Sequence, residues 1–203
     1  MIFVEINVRL LAVISLATLF LSACNQPPEF RSTDISSVSW GKDFELTADN
    51  GKRIHLQSFR DRVVILFFGY SSCPDICAPT LYKLSRLNQR LGKLADRVQV
   101  IFVTVDPGYD TPKRLREFLH KFDKRFIGLT GNPREISEVQ KEYKVAIVAK
   151  KASGQHKHQH RRVDHSGFIF IKDGKGRLRL MARETSSVAD LEHDIRLLLQ
   201  PSS

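Results

Sequence analysis

The feature that most constrains the fold is a short segment, Val63–Phe68, in which every residue is apolar. An unbroken apolar run of this length is typical of a strand that is covered on both faces of its sheet. A second buried strand is predicted over Val98–Val105, and leucines at helical spacing lie between the two strands. Those leucines are Leu81, Leu84, Leu87, Leu91 and Leu94. Strands that alternate with helices predict an α/β domain.

The remaining segments complete a mixed sheet with helices on both faces. An Asn50-Gly51 turn between Phe44–Thr47 and Arg53–Leu56 predicts an N-terminal β-hairpin. Further elements are a helix entered at Pro112, a helix near Asn132–Tyr143, a strand at Val145–Ala149, a polar loop at Lys150–Arg162, a hairpin of Phe168–Ile171 with Arg177–Ala182, and a last helix at Val188–Leu199. The order of these elements resembles that of thioredoxin-like domains.

The N-terminal segment has the features of an export signal. Leu10–Leu21 is nearly all apolar, has the length of the apolar region of a signal peptide, and is too short to span a bilayer comfortably. The next residues, up to Cys24, resemble the lipobox of bacterial lipoproteins, in which the cysteine is acylated. We therefore expect residues 1–23 to be a signal peptide and the domain to be anchored to a bacterial membrane, in the periplasm or outside the cell. A plain secretory signal and an uncleaved anchor helix are the alternatives.

Residues 24–39 are predicted to be a flexible tether, because they are polar, contain Pro27 and Pro28, and lack apolar periodicity. Residues 40–203 then form one domain, for which we expect a monomer. The formal net charge is +10. In an exported chain this charge favours anionic lipids or an acidic protein surface as partners. Nucleic acid is not expected, because the basic residues are scattered rather than interleaved with aromatic residues.

Two cysteines, Cys73 and Cys77, follow the first buried strand. Cys77 is predicted at the start of a helix, where free N–H groups and the helix dipole lower the pKa of a thiol. Three residues separate the cysteines, which makes a wider loop than that of Cys-x-x-Cys redox proteins. Such a loop can close a structural or redox disulfide, and it can also direct both sulfur atoms to one soft metal ion.

Three blocks of sequence, Phe68–Cys77, Val103–Pro112 and Val163–Ser166, resemble in order the motifs of the Sco/SenC copper-chaperone family. The resemblance spans about Trp40–Leu199. It implies that Cys73, Cys77 and His165 bind one copper ion. It also implies delivery of the copper to cytochrome c oxidase, at the CuA centre of its subunit II, or to another copper-receiving protein.

The chemistry of these donors is consistent with copper. Thiolates select Cu(I) and imidazole suits either oxidation state, so Cu(I), Cu(II) or both are expected. The alternative is a thiol–disulfide oxidoreductase that reduces the copper-ligand cysteines of a partner. Against it, His165 lies where thioredoxins hold a cis-proline. We therefore expect a metallochaperone rather than an enzyme, with no catalytic residue. A peroxidase is disfavoured because no arginine lies in the Cys73 loop.

Further candidate residues occur in two loops. Asp106 and Asp110 are predicted to be turn and cap residues, with Asp110 or Thr111 as the N-cap of the next helix. Three histidines alternate with other residues, so an extended segment would direct them to one side. They are His156, His158 and His160, which form a candidate auxiliary site for Cu(II), Zn or Ni. A solvated loop is the alternative.

Overall fold

A computed structural model describes residues 29–145, 148–150, 162–164 and 167–200. The helices of these residues are α1 (Cys77–Leu91), α2 (Pro112–Leu119), α3 (Pro133–Glu142) and α4 (Val188–Leu198). The strands are β1 (Thr33–Asp34), β2 (Glu45–Ala48), β3 (Arg53–His55), β4 (Val63–Gly69), β5 (Val98–Thr104), β6 (Ile127–Thr130), β7 (Val148–Lys150), β8 (Arg162–Asp164), β9 (Phe168–Lys172) and β10 (Leu178–Arg183). None of the described helices combines the length and the apolar character that a membrane crossing requires.

Eight strands form one mixed sheet in the order β1-β10-β9-β4-β5-β6-β2-β3. The central strands β4, β5 and β6 are parallel, and β9 runs antiparallel to β4. The predicted hairpins are β2–β3 and β9–β10. The two apolar segments of the sequence thus lie side by side at the centre of the sheet, in register from Val63 opposite Val98 to Gly69 opposite Thr104. This confirms the predicted mixed α/β sheet.

The sheet separates two hydrophobic cores. Successive side chains of a strand point to opposite faces, so Ile65 and Phe67 join one core while Leu66 and Phe68 join the other. The first, which we call the α1 core, also contains buried residues of α1, α2 and α4. The second, the α3 core, contains residues of α3 together with Tyr143. Burial on both faces explains why β4 is continuously apolar.

The predicted helix starts are confirmed where capping residues are present. The Thr111 side chain accepts a hydrogen bond from the Arg114 amide, and Pro112 occupies the first helical position of α2. Asn132 and Glu135 form a reciprocal capping box at the start of α3. These side chains satisfy amide groups that the first turn of a helix leaves without partners. In contrast, α1 begins without a side-chain cap.

The prediction of a flexible tether over residues 24–39 is wrong for its second half. Thr33 pairs with Met181, which makes β1 an edge strand of the sheet. The amides of Arg31 and Ser32 donate to the buried Asp194 carboxylate at 2.8 and 2.9 Å. The sequence gives no sign of this because the contacts join backbone groups to one distant carboxylate. Residues 1–28, with the predicted signal peptide and Cys24, lie outside the described residues.

A separate two-stranded sheet precedes β9. Its strand β7, Val148–Lys150, lies about where the sequence predicts a strand at Val145–Ala149. It pairs with β8, so that Val148 is opposite Asp164. Residues 151–161, which make up most of the predicted polar loop, lie outside the described residues. The candidate auxiliary site at His156, His158 and His160 lies there too.

Candidate metal centre

The predicted pair of thiols meets at the carboxyl end of β4. Cys77 is the first residue of α1, and Cys73 lies in the loop between this helix and the strand. Cys77 is fully buried, whereas Cys73 is partly exposed and packs against both cores. The two cysteines are not joined by a disulfide, and their side chains are within hydrogen-bonding contact. The pair therefore has one sulfur inside the domain and one near solvent.

The position of the buried sulfur depends on a glycine. A Cβ atom added at Gly69 would lie 2.6 Å from Cys77 Sγ and 2.8 Å from Cε2 of Phe102. Both distances are shorter than any ordinary contact between such atoms, so only glycine leaves this space open. The Cys77 sulfur therefore lies directly over the last residue of β4.

The prediction of a lowered thiol pKa at the helix start is wrong for Cys77. Its pKa is raised, first by the hydrogen bond with Cys73, then by burial and by the negative charges of Cys73 and Asp110. A backbone hydrogen bond at Tyr70 acts in the opposite direction but is weaker. Burial disfavours the charged form of a thiol, and this outweighs the helix terminus here. In the metal-free protein Cys77 is therefore protonated at neutral pH.

A buried carboxylate holds the cysteine loop. Asp110 is fully buried and accepts hydrogen bonds from the Ser71 amide at 3.0 Å, from the Ser71 hydroxyl, and from Oγ1 of Thr104 at 2.6 Å. The sequence predicted a turn or cap residue, but the cap of α2 is Thr111. Asp110 instead joins the loop after β5 to the loop that carries Cys73. No local sequence pattern reports a contact between segments 39 residues apart.

Asp106 has the turn role that the sequence predicted. Its carbonyl accepts from the amides of Tyr109 and Asp110 at 3.1 and 2.9 Å. Its own amide donates to Thr104 Oγ1 at 3.0 Å. Next to this turn, the Val105 amide donates to the Gly69 carbonyl at 2.8 Å. The turn and the cysteine loop are thus fixed to each other through both side chains and backbone.

The third predicted ligand, His165, lies outside the described residues, as does the lipidation candidate Cys24. The chain is described again from Gly167, where an added Cβ would lie 2.7 Å from Cδ1 of Ile76. Ile76 immediately precedes Cys77. Within the described ranges, no group of three or more His, Cys, Asp or Glu residues could hold a metal ion. The described part of the site is therefore the pair of thiols.

The donors that the structure brings together suit a soft cation. Two sulfur atoms in contact, in a site with one buried and one partly exposed member, are ligands that select Cu(I) over hard cations. The space kept free by Gly69 lets the buried sulfur reach the end of the strand. A third donor is needed for a three-coordinate site.

A family model, curated relatives and solved structures all show similarity to the same family of proteins. The SCO1/SenC family model matches residues 33–200. An SCO2-like protein of Rickettsia conorii is 35% identical over 141 residues, which cover 70% of this chain and 68% of that protein. The structure of Bradyrhizobium japonicum ScoI with copper bound has 34% identity and a TM-score of 0.70, and the match covers 79% of this chain and 100% of that one. Apo Sco1 of Thermus thermophilus has 32% identity and a TM-score of 0.74, with 86% and 100% covered.

Proposed function

The chain belongs to the SCO1/SenC family, and from this premise we propose that it is a membrane-anchored copper metallochaperone. One copper ion is bound by Cys73, Cys77 and His165. The expected thioredoxin-like fold agrees with that of its Sco neighbours. The observation that carries the proposal is the contact between the two thiols at the end of β4, because a soft ion needs both sulfur atoms at one point.

The position of Gly167 supports His165 as the third ligand. Gly167 packs against Ile76, the residue before Cys77. Two residues of extended chain span at most about 7 Å, and we propose that the His165 side chain extends from this contact to the two sulfur atoms. A neutral imidazole adds a donor that suits copper in either oxidation state. The three ligands together leave copper open to the ligands of a second protein.

Loading and release follow from the protonation of the thiols. Each thiol exchanges its S–H bond for a bond to Cu(I), so binding of one ion releases two protons. Cys73 is the partly exposed member of the pair. A thiolate of the receiving protein therefore reaches the copper from the Cys73 side and can replace the ligands one at a time. Protons returning to Cys77 then favour release, since burial stabilises its neutral form.

The receiving protein is proposed to be cytochrome c oxidase, at the CuA site of subunit II, or another copper-receiving protein. The net charge of +10 favours an acidic partner or an anionic membrane surface. Lipidation at Cys24 would anchor the chain on the outer side of a bacterial membrane. Because the amides of Arg31 and Ser32 donate to Asp194 of α4, we propose that the tether ends before Arg31. From Cys24 to Glu29 an extended chain spans at most about 18 Å.

Titration of the reduced protein with Cu(I) against a competing chelator tests this function. The wild type should bind one equivalent of Cu(I). His165→Ala should weaken binding by more than about tenfold, because loss of a direct ligand should lower the metal affinity at least as much as loss of a residue that only hydrogen-bonds to a ligand. His193→Ala is the matched control, because His193 lies on α4 and its ring is hydrogen-bonded to the Glu29 carbonyl. No copper uptake, or unchanged affinity in His165→Ala, would contradict the proposal.

The same contact between thiols supports a second function, thiol–disulfide exchange. Cys73 and Cys77 would give two electrons and two protons to a partner disulfide, which becomes a dithiol while they form a disulfide. Cys73 would be the attacking thiol, since the pKa of Cys77 is raised. Faster reduction of a partner disulfide by the His165→Ala variant than by the wild type would favour this role, whereas loss of copper binding alone would favour the chaperone.

A further inference from the structure

A lysine lies inside the α3 core, at the end of β4 opposite to the cysteines. Lys172 is the last residue of β9, pairs with Val64, and is only 4% exposed. Its Nζ donates to the Gly41 carbonyl at 2.7 Å and to the Tyr143 hydroxyl at 3.3 Å. A lysine ammonium has three N–H donors and no acceptor. Two of the three donors therefore have partners within the protein.

The charge of this ammonium has no direct counter-ion in the part of the chain that the structure describes. Asp43, Asp173 and Glu142 act on Lys172 at longer range and raise its pKa, but burial acts more strongly and lowers it. A buried charge without a close partner is costly. An additional anion close to Nζ would therefore be stabilising.

The three carboxylates are bonded to other donors. Asp173 forms ion pairs with Arg177 at 2.7 Å and Arg179 at 3.4 Å. The remaining two accept from backbone amides: Asp43 Oδ1 from Gln57 at 2.8 Å, and Glu142 Oε1 from Lys42 at 2.9 Å. Their hydrogen-bonding capacity is thus partly used by these donors, and among the described residues the Lys172 ammonium donates to Gly41 and Tyr143 rather than to a carboxylate.

Lys172 lines a cavity of about 240 Å³. The charged residues of its wall are the cations Lys42, Arg60 and Lys172 and the single carboxylate of Asp43. The Arg60 side chain lies over Gly176, with Nε 3.8 Å from the position of an added Cβ. The cavity is smaller than the sites of drug-sized ligands, which begin at about 300 Å³. Its size and excess of positive charge both fit a small anion.

We propose that this cavity binds one small oxyanion of phosphate type, with the Lys172 ammonium as its buried donor and the Arg60 guanidinium as its donor at the surface. Arginine binds such groups through two parallel N–H donors, and hydrogen bonds between charged groups are the strong ones. The anion supplies the third acceptor for Lys172. The same phosphate chemistry occurs in a free ion and in a lipid headgroup.

The proposed anion site is independent of the copper function. The cavity is lined by Val64 near the start of β4, whereas Cys77 packs on Gly69 at the end of the same strand. Five residues of strand separate these points by about 17 Å. Failure of copper binding would therefore leave the anion site intact, and the reverse also holds.

The test is a titration of ¹⁵N-labelled protein with inorganic phosphate at constant ionic strength, followed by amide chemical shifts. The wild type should show saturable shifts at amides of the cavity wall, such as Gln57 and Gly176. Lys172→Met should weaken binding by about tenfold or more, as expected for loss of a charged hydrogen bond. Arg60→Gln should weaken it severalfold. Lys175→Met is the control, because Lys175 is exposed and not part of the wall, and it should titrate like the wild type.

Linear shifts without saturation in the wild type would overturn the proposal, as would equal affinities in the wild type and Arg60→Gln. Arg60 is exposed, so this second variant remains decisive if Lys172→Met fails to fold. Vesicles with and without phosphatidylglycerol distinguish the two sources of phosphate. Perturbation of the cavity amides by the anionic vesicles alone identifies a lipid headgroup, whereas unchanged amides with vesicles and saturation with phosphate identify a free ion.

Discussion

A titratable group is buried at each end of β4, and the two groups differ in their charge and in their surroundings. At the carboxyl end, the hydrogen bond with Cys73, burial and nearby negative charge together raise the pKa of the Cys77 thiol and keep it neutral. At the amino end, the Lys172 ammonium is buried, with hydrogen bonds to Gly41 and Tyr143 but no close carboxylate among the described residues. The first end therefore suits a cation that displaces protons, and the second suits an anion that balances a charge.

The two ends also differ in how they are fixed. The cysteine loop is bound to the turn after β5 by Asp110 and by the bond from Val105 to Gly69. Loops at the carboxyl ends of parallel strands are where α/β proteins bind their ligands. At the other end, Lys172 pairs with Val64 of β4, and its ammonium is hydrogen-bonded to Gly41 and Tyr143, which lie outside the central strands. The comparison predicts that changes at one end leave ligand binding at the other end unaffected.

The largest effect is expected on the Cu(I) affinity, when one of the proposed copper-binding cysteines is replaced. Cys77→Ser should lower the Cu(I) affinity by more than about 100-fold, because even outer partners of a metal site contribute about 10- to 100-fold. Lys172→Met should leave the copper affinity within about twofold. Competition titrations of both variants measure this. Similar losses in the two variants would show that the ends of β4 are not independent.

The next effect is the loss of the carboxylate that fixes the loop. Asp110→Ala removes the acceptor of the Ser71 amide, the Ser71 hydroxyl and the Thr104 hydroxyl. Buried donors without acceptors cost about 1–3 kcal/mol each, so we expect the free energy of unfolding to fall by about 3 kcal/mol. Chemical denaturation measures it. Ser71→Ala removes one of the three donors and should cost less; an equal or larger loss would contradict the proposed role of Asp110.

A smaller effect is expected at the glycine beneath the buried sulfur. In Gly69→Ala the new Cβ would lie within 2.6 Å of Cys77 Sγ. Overpacking of a core costs about 1–3 kcal/mol, and the displaced sulfur should also bind Cu(I) more weakly. Gly108→Ala is the control, since its nearest atom would be 3.8 Å away. Equal unfolding midpoints for the two variants would show that the Cys77 sulfur does not depend on Gly69.

The smallest effect is a difference in pH dependence between the two ends. The folded-state pKa of Cys77 is raised, so the unfolded chain loses this proton first once the pH passes about 8.5. Stability then falls with pH, by up to about 1.4 kcal/mol per unit. The pKa of Lys172 is lowered, so the folded chain loses that proton first. Between the lowered pKa and about 10.4, this contribution to stability rises with pH.

Denaturation of metal-free protein between about pH 8.5 and 10 separates the two contributions. Compared with the wild type, Cys77→Ala should lose stability less steeply with rising pH, and Lys172→Met more steeply. The sign of each difference is the result to examine. The same slope for Cys77→Ala and the wild type would contradict a buried neutral thiol at this position.

Several elements of the fold and the site are determined by one local pattern, and these agree with the prediction from the sequence. The continuous apolar run of β4 and the cap and proline at Thr111-Pro112 placed a central strand and a helix start correctly. The spacing of Cys73 and Cys77 predicted a pair of thiols at the start of a helix, and their side chains do meet. Each of these features depends on residues close together in the chain.

Other features depend on residues that are distant in the sequence, and these could not be predicted from local patterns. The segment that leads into β1 is fixed by Asp194, whose carboxylate accepts hydrogen bonds from the backbone amides of Arg31 and Ser32. The pKa of Cys77 is raised by its hydrogen bond with Cys73 and by burial, with a smaller contribution from Asp110, and the helix start that the sequence indicates does not reverse this. Lys172 is in a segment that predicts a strand, but nothing local indicates that its ammonium is enclosed beside Tyr143.

X-ray absorption at the copper edge of the reduced, Cu(I)-loaded protein and of its His165→Ala variant tests the central claim most directly. Cys73, Cys77 and His165 as the ligands of one ion predict two sulfur neighbours and one imidazole nitrogen in the wild type. The variant should lose the nitrogen and keep both sulfurs. Identical spectra for the two proteins, or a copper ion with fewer than two sulfur neighbours, would contradict the claim.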